Sequence, residues 1–287
     1  MPVEAVIVAR ASTTTARWTP YALAAIMPYV LGGMKNRVPI LIYHGFYDRD
    51  DEIAGVPGPE RRYFLSMDSF ALHVKRLVEL NYSISSIEKV SGPRGVSFTF
   101  DDGHLSNYTS VYPLLVKHGF SGTFFIVADW IGKAGRIDAS QLREMASNGM
   151  SIGSHGFTHT LLAGLSREAL DRELIASKER LEQLLGTEVT TFALPGGRMD
   201  GQVLDRARAA GYRRVCTSNA GLMTGGYAVP RLSVTSHTGL QTIEGYARRD
   251  SLLIARARAS HAARVAVKSV VGVGNYEALC RSLLRTP

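Results

Sequence analysis

The sequence predicts an α/β fold on a parallel sheet, nearer to a (β/α) barrel than to an open sheet. Three observations carry that expectation. Short apolar, β-branched runs alternate with segments of helical periodicity between Val38 and Val234. That alternation implies crossover connections and parallel pairing, and about seven strands fit the span. The residues with chemical potential fall just after the apolar runs, where parallel folds collect function.

The first run, Val38–Tyr43 (VPILIY), reads as a buried strand. Residues 45–61 are rich in Gly, Pro and Asp and read as loop, and residues 66–80 read as a serine-capped amphipathic helix. Gly95–Phe100 is a strand before a helix over 108–118. Residues 122–127 and 150–154 are strands before helices over 139–148 and 167–185. Residues 189–194 form a strand before a helix over 201–210, for which Asp200 is the expected cap. Residues 213–217 and 228–234 complete the strands. From Thr238 the chain turns helical and basic, and residues 251–270 interleave apolar residues with Arg256, Arg258, Arg264 and Lys268. A helix packed on the domain with its arginines in water is expected, with a peripheral membrane helix as the alternative. The organisation is thus a leader over 1–36, an α/β domain over 37–237 and a helical extension over 238–287.

The composition, 45% hydrophobic and 20% charged over 287 residues, is that of a globular protein with ample core. A net charge of +8 favours anionic partners in general. No stretch interleaves basic and aromatic residues, so a nucleic-acid partner is not expected. Cys216 and Cys280 lie far apart, which excludes a disulfide-rich scaffold and a cysteine-ligated zinc knuckle. Residues 21–31 (YALAAIMPYVL) follow Arg10 and Arg17 and loosely resemble a signal-peptide core. Glu4, Pro20, Pro28 and the lack of an A-x-A site speak instead for a disordered leader or a surface helix. The run is short for a bilayer span, so contact with a membrane would be peripheral.

Three strand ends carry suggestive residues: Asp101-Asp102-Gly103, His155 with His159, and Pro195-Gly196-Gly197. Singly, each has an ordinary reading as a turn, a surface pair and a second turn. Together they offer one carboxylate and two imidazoles, a three-ligand set for a catalytic divalent ion. Successive strand residues point to opposite sides, so one aspartate can bind the ion while its neighbour stays free as a general base. A shared cation would also relieve the repulsion between the adjacent carboxylates.

TFDDG at 99–103, SHGFTH at 154–159 and the turn from Phe192 to Gly197 resemble the polysaccharide deacetylases of the NodB-homology type, carbohydrate esterase family 4. The resemblance covers roughly 38–234 and implies a distorted (β/α) barrel and a metal-dependent hydrolase. Such enzymes remove acetyl groups from N-acetylated sugars, so the implied partner is an acetylated carbohydrate. By the same resemblance Asp101 is the base, and Asp102, His155 and His159 bind the metal, usually zinc. The segment PILIYH at 39–44 resembles a permuted subgroup that includes deacetylases of β-1,6-linked poly-N-acetylglucosamine. It implies that His44 is the general acid, with His237 as the alternative, and that the Gly196 N–H serves the oxyanion. A substrate of this class favours a cell-envelope or secreted location.

Three positions depart from the family pattern. The arginine that orients the catalytic aspartate is missing at Ala193, as is common in the permuted subgroup. Gly196 replaces an aromatic wall of the sugar site, and Gly156 replaces a loop-ordering Ser or Thr. Arg231 could bind the base or the substrate, or form a structural salt bridge, and His104 is expected to face solvent. Two other functions fit the same residues. One is hydrolysis of a small non-sugar amide or cyclic ureide; the other is a non-catalytic carbohydrate-binding relative.

Overall fold

The computed structural model describes residues 37–197 and 200–271. The apolar run at 21–31, Cys280 and the end of the extension from 272 onward lie outside the described residues.

In chain order the strands are β1 (Val38–Tyr43), β2 (Phe46–Tyr47), β3 (Leu65–Ser66), β4 (Ser83–Ser85), β5 (Gly95–Phe100), β6 (Thr123–Ile126) and β7 (Ser151–Ser154). They continue with β8 (Thr191–Ala193), β9 (Arg214–Cys216), β10 (Leu222–Met223), β11 (Ala228–Val229) and β12 (Leu232–Ser233). Strands β5, β6, β7, β8, β9 and β11 pair in succession, all parallel. β1 lies parallel along β5, with Ile40 opposite Ser97 and Tyr43 opposite Phe100. β12 pairs with β1, while β11, two residues earlier in the chain, still pairs with β9. The sheet therefore returns to its first strand with a single break at Pro230-Arg231. Proline has no N–H for the ladder, which accounts for the break in the expected 228–234 strand.

Side-chain alternation sorts the core into two clusters. Leu41, Tyr43, Val96, Phe98 and Phe100 belong to the larger one, between sheet and helices. Val38, Ile40, Phe125, Ala193, Cys216 and Val229 form the smaller, which fills the barrel. On β5 the row that alternates with the phenylalanines is Ser97, Thr99 and then Asp101, all buried. A buried polar row needs partners, and the break at Pro230-Arg231 supplies one.

The helices follow their sequence signals. Met67–Glu79 is capped by the Ser66 hydroxyl, which accepts from the Ser69 N–H at 3.3 Å, and it buries Phe70, His73, Val74 and Leu77. Asp138 and Gln141 form a reciprocal capping box for Ala139–Ser147. Asp200 caps Gly201–Ala209 at 2.9 Å, as expected. The helical segment from Arg167 to Leu185 contains a wide π-type turn at Arg172–Ala176. The 45–61 segment is more structured than its composition suggests: it holds β2 and the short helices Asp50–Ala54 and Gly58–Arg61, and β2 pairs with β3. Ser251–Val271 is a single helix. No helix of the described residues is long and apolar enough to cross a membrane.

Candidate active site

The site lies where β1, β5 and β7 end and the β8 turn begins. The Asp101 N–H still donates to the Tyr43 carbonyl at 2.9 Å, so Asp101 continues the inward row of β5. Arg231, fully buried, grips it with two bonds, Nη1 to Oδ1 at 2.8 Å and Nη2 to Oδ2 at 2.9 Å. The same guanidinium donates to Thr99 Oγ1 and to the Thr217 carbonyl, and it lies 5.3 Å from the Phe125 ring centre. Of the readings left open for Arg231, the geometry rules out substrate contact, since a side chain with 0% exposure does not reach substrate, and pairs it with Asp101. The arginine missing at Ala193 is thus replaced from the barrel's closing break. Burial alone would raise the Asp101 pKa, but the charge and hydrogen bonds of Arg231, together with the nearby His155 and His44, outweigh it and hold the carboxyl below its usual range.

Asp102 diverges from Asp101 for a different reason than strand alternation. The strand ends at Phe100, and Asp102 adopts φ 74°, in the left-handed region. Its Oδ1 lies 3.4 Å from His155 Nε2 and 3.2 Å from His159 Nε2. Burial pushes its pKa up, but the surrounding His104, His155 and His159 hold it well below the usual carboxylate range. His155 is buried, and its Nδ1 lies 2.8 Å from the Ala193 carbonyl, so Nδ1 carries the proton and Nε2 presents a lone pair. Its pKa is lowered by burial and raised more by the two aspartates, with a net rise. The three ligand atoms lie within 4.8 Å of one another. Ligands about 2.0–2.1 Å from a tetrahedral zinc ion sit ~3.3 Å apart, which matches the Asp102–histidine separations. Asp102 Oδ1 has no hydrogen-bond partner although buried, as expected of an atom reserved for a cation. This donor set fits a divalent ion.

The histidine loop is ordered by a residue that sequence reasoning missed. Glu173, buried in the π-type turn, accepts from the Phe157 and Thr158 N–H groups at 2.8 and 2.9 Å and from the Thr158 hydroxyl. Gly156 sits at φ 82°, and a Cβ there would lie 3.0 Å from Glu173 Oε2. The carboxylate therefore takes the place of the hydroxyl that Gly156 lacks.

His44 directly follows β1, its ring 4.8 Å from Tyr63 and its Nδ1 buried without a hydrogen-bond partner. Burial lowers its pKa, opposed by the Asp102 and Asp101 charges. His237 lines a groove with Leu65, His73 and Leu240, and among the described residues no contact joins it to either aspartate. Gly196 is exposed at φ 62° in the turn after β8, and Leu161 Cδ2 lies 2.4 Å from where its Cβ would stand. Leu161 thus fills the space that a side chain at Gly196 would enter. His104 does not face solvent; it packs against Phe64, 3.6 Å from Asp102 Oδ2.

A parallel barrel whose strand ends bring an arginine-held aspartate beside a two-histidine, one-carboxylate cluster has the parts to bind a divalent ion and activate water for hydrolysis. Residues 88–215 match the family model for polysaccharide deacetylase. The YxkH protein of Bacillus subtilis is 29% identical over 211 residues, covering 69% of this chain and 72% of that protein. The peptidoglycan-N-acetylglucosamine deacetylase of Bacillus cereus is 30% identical over 124 residues, covering 43% of this chain and 56% of that protein. The deacetylase PplD of Streptococcus pyogenes, solved with acetate, shares the fold with a TM-score of 0.65 at 23% identity, covering 72% of this chain and 96% of that one. The chain thus carries a polysaccharide deacetylase domain match over the stretch that holds Asp101, Asp102, His155 and His159, and it is similar to these proteins over a wider span.

Proposed function

We propose that the protein is a metal-dependent deacetylase that removes N-acetyl groups from a polysaccharide or oligosaccharide containing N-acetylhexosamine. The observation that carries this reading is the pairing of two differently held aspartates. Asp101 is locked to Arg231 and Asp102 faces His155 and His159. The named activity of the B. cereus relative supports the sugar substrate.

Asp102, His155 and His159 would hold the ion, taken as zinc by family usage. When bound, zinc supplies a Lewis acid that polarises the acetamide carbonyl and acidifies water. Asp101 removes the proton from the attacking water, and Arg231 keeps it ionised and aimed. The Gly196 N–H donates to the oxygen that gains charge as the carbonyl becomes tetrahedral. His44, close enough to Asp101 and Asp102 to feel their charges, gives a proton to the departing amine. Each turnover releases acetate and leaves a free amino group on the sugar. Substrates of this kind place the enzyme at the cell envelope or outside the cell.

Acetate release from acetylated chito-oligomers and β-1,6-linked oligomers, with zinc, cobalt or nickel added, tests the reading. Release from at least one oligomer, abolished by Asp101→Asn, is expected. No release from any metal-replete sample would favour the carbohydrate-binding alternative.

A further inference from the structure

Two of the three candidate ligands have left-handed backbones, Asp102 at φ 74° and His159 at φ 67°. L-residues adopt this region only where the surroundings enforce it, and such strain concentrates at functional sites. For Asp102 the enforcing group is visible. Arg136 Nη1 donates to the Asp102 carbonyl at 3.0 Å. The next carbonyl, that of Gly103, accepts from the Ile137 N–H at 3.1 Å, and the Leu105 N–H donates to the Gly135 carbonyl at 2.9 Å. The guanidinium lies over the Trp130 ring at 4.2 Å, which fixes the direction of its donors. Trp130 in turn packs 5.1 Å from the His159 ring.

We propose that Arg136 is a positioning residue for Asp102: by holding the Asp102 carbonyl it keeps the left-handed turn that points the carboxylate at His155 and His159. The role rests on the metal-site reading above. It also explains an otherwise unfavourable placement, a permanent cation at the rim of a cation site. A guanidinium there repels a divalent ion, so its presence is a cost unless it organises a ligand. Through Nη1, 3.3 Å from His104 Nδ1, it also fixes the imidazole that flanks Asp102 Oδ2.

The two effects have opposite signs, so one measurement separates them. The zinc dissociation constant of the full chain is measured by competition with a chromophoric chelator, for wild type, Arg136→Met, Arg136→Gln and Arg136→Lys. Positioning predicts that Met and Gln weaken zinc binding by roughly 10–100-fold, the usual loss when a group orienting a metal ligand is removed. Lys, which keeps a donor but not the flat stacking, restores part of that affinity. Tighter or unchanged zinc binding in Arg136→Met and Arg136→Gln overturns the proposal. Should the Met variant fail to fold, the Gln variant decides by the same two outcomes. A wild-type chain that binds no zinc refutes the metal site, and this proposal with it; binding that ignores Arg136 refutes the proposal alone.

Discussion

Replacing Arg231 by methionine leaves Asp101, 4% exposed, charged and unpaired inside the barrel. The change removes two bonds to Asp101, one to Thr99 and one to the Thr217 carbonyl, while methionine keeps much of the apolar volume. Breaking a buried pair from one side costs about 3–5 kcal/mol, mostly for the stranded charge. For a domain of this size each kcal/mol shifts the midpoint by about 2–4 °C, so a fall of ~10 °C is expected. If the stranded carboxylate is the cause, adding Asp101→Asn should return ~2 kcal/mol, and the two changes will not be additive. The pH dependence supplies the sign. In the wild type the folded pKa of Asp101 is depressed, so its contribution is present above the ordinary aspartate range and lost as pH falls through the folded value. Without Arg231 the burial effect, the largest single influence, is opposed only by His155 and His44, so the folded pKa moves up and acidification relieves the stranded charge. The stability gap between wild type and Arg231→Met should therefore narrow as pH falls from 7 toward 4. Calorimetry on chelator-treated protein reads both effects. Additive costs, or a gap that ignores pH, would refute the reasoning.

Two further outcomes follow from buried groups outside that pair. His73, buried behind Tyr43, has its pKa lowered to about 4 by burial, against 6.5 unfolded. The unfolded chain takes up this proton first, so stability is full above pH 6.5 and falls toward pH 4 by ~3 kcal/mol at 1.36 kcal/mol per unit. Denaturation in that window should show a shallower slope for His73→Gln, which keeps an acceptor for the Tyr43 hydroxyl; an unchanged slope would count against burial as the cause. Glu173→Ala leaves the Phe157 and Thr158 N–H groups unpaired, at about 1–3 kcal/mol each. Zinc affinity and acetate release should both drop as the histidine loop loosens, and unchanged zinc affinity would remove Glu173 from the site's support.

The parts of this account legible in the sequence are those encoded locally. The alternation that makes β5 a strand, the Ser66 and Asp200 caps, and the adjacency of Asp101 to Asp102 are all short-range signals. The role of Arg231 was left open, and Glu173 and Arg136 were not singled out, because their partners are distant in sequence. Arg231 reaches Asp101 across 130 positions, Glu173 sits in a helix whose charged flank reads as surface, and Arg136 acts through a backbone carbonyl. Composition also misled over 45–61: Gly, Pro and Asp mark turns, yet Phe46-Tyr47 pairs with Leu65-Ser66, and short helices fill the interval. The divergence of the two aspartates was anticipated, but its cause is the left-handed turn at Asp102 rather than strand alternation.

The central claim is that Asp102, His155 and His159 hold a divalent ion on which deacetylation depends. Acetate release from an acetylated oligomer is measured before chelation, after chelation and after zinc is restored, in wild type and Asp102→Asn. The account predicts that chelation abolishes release, that about one equivalent of zinc per chain restores it, and that Asp102→Asn neither binds that zinc tightly nor recovers. Release that survives complete chelation, or that Asp102→Asn leaves intact, would contradict it.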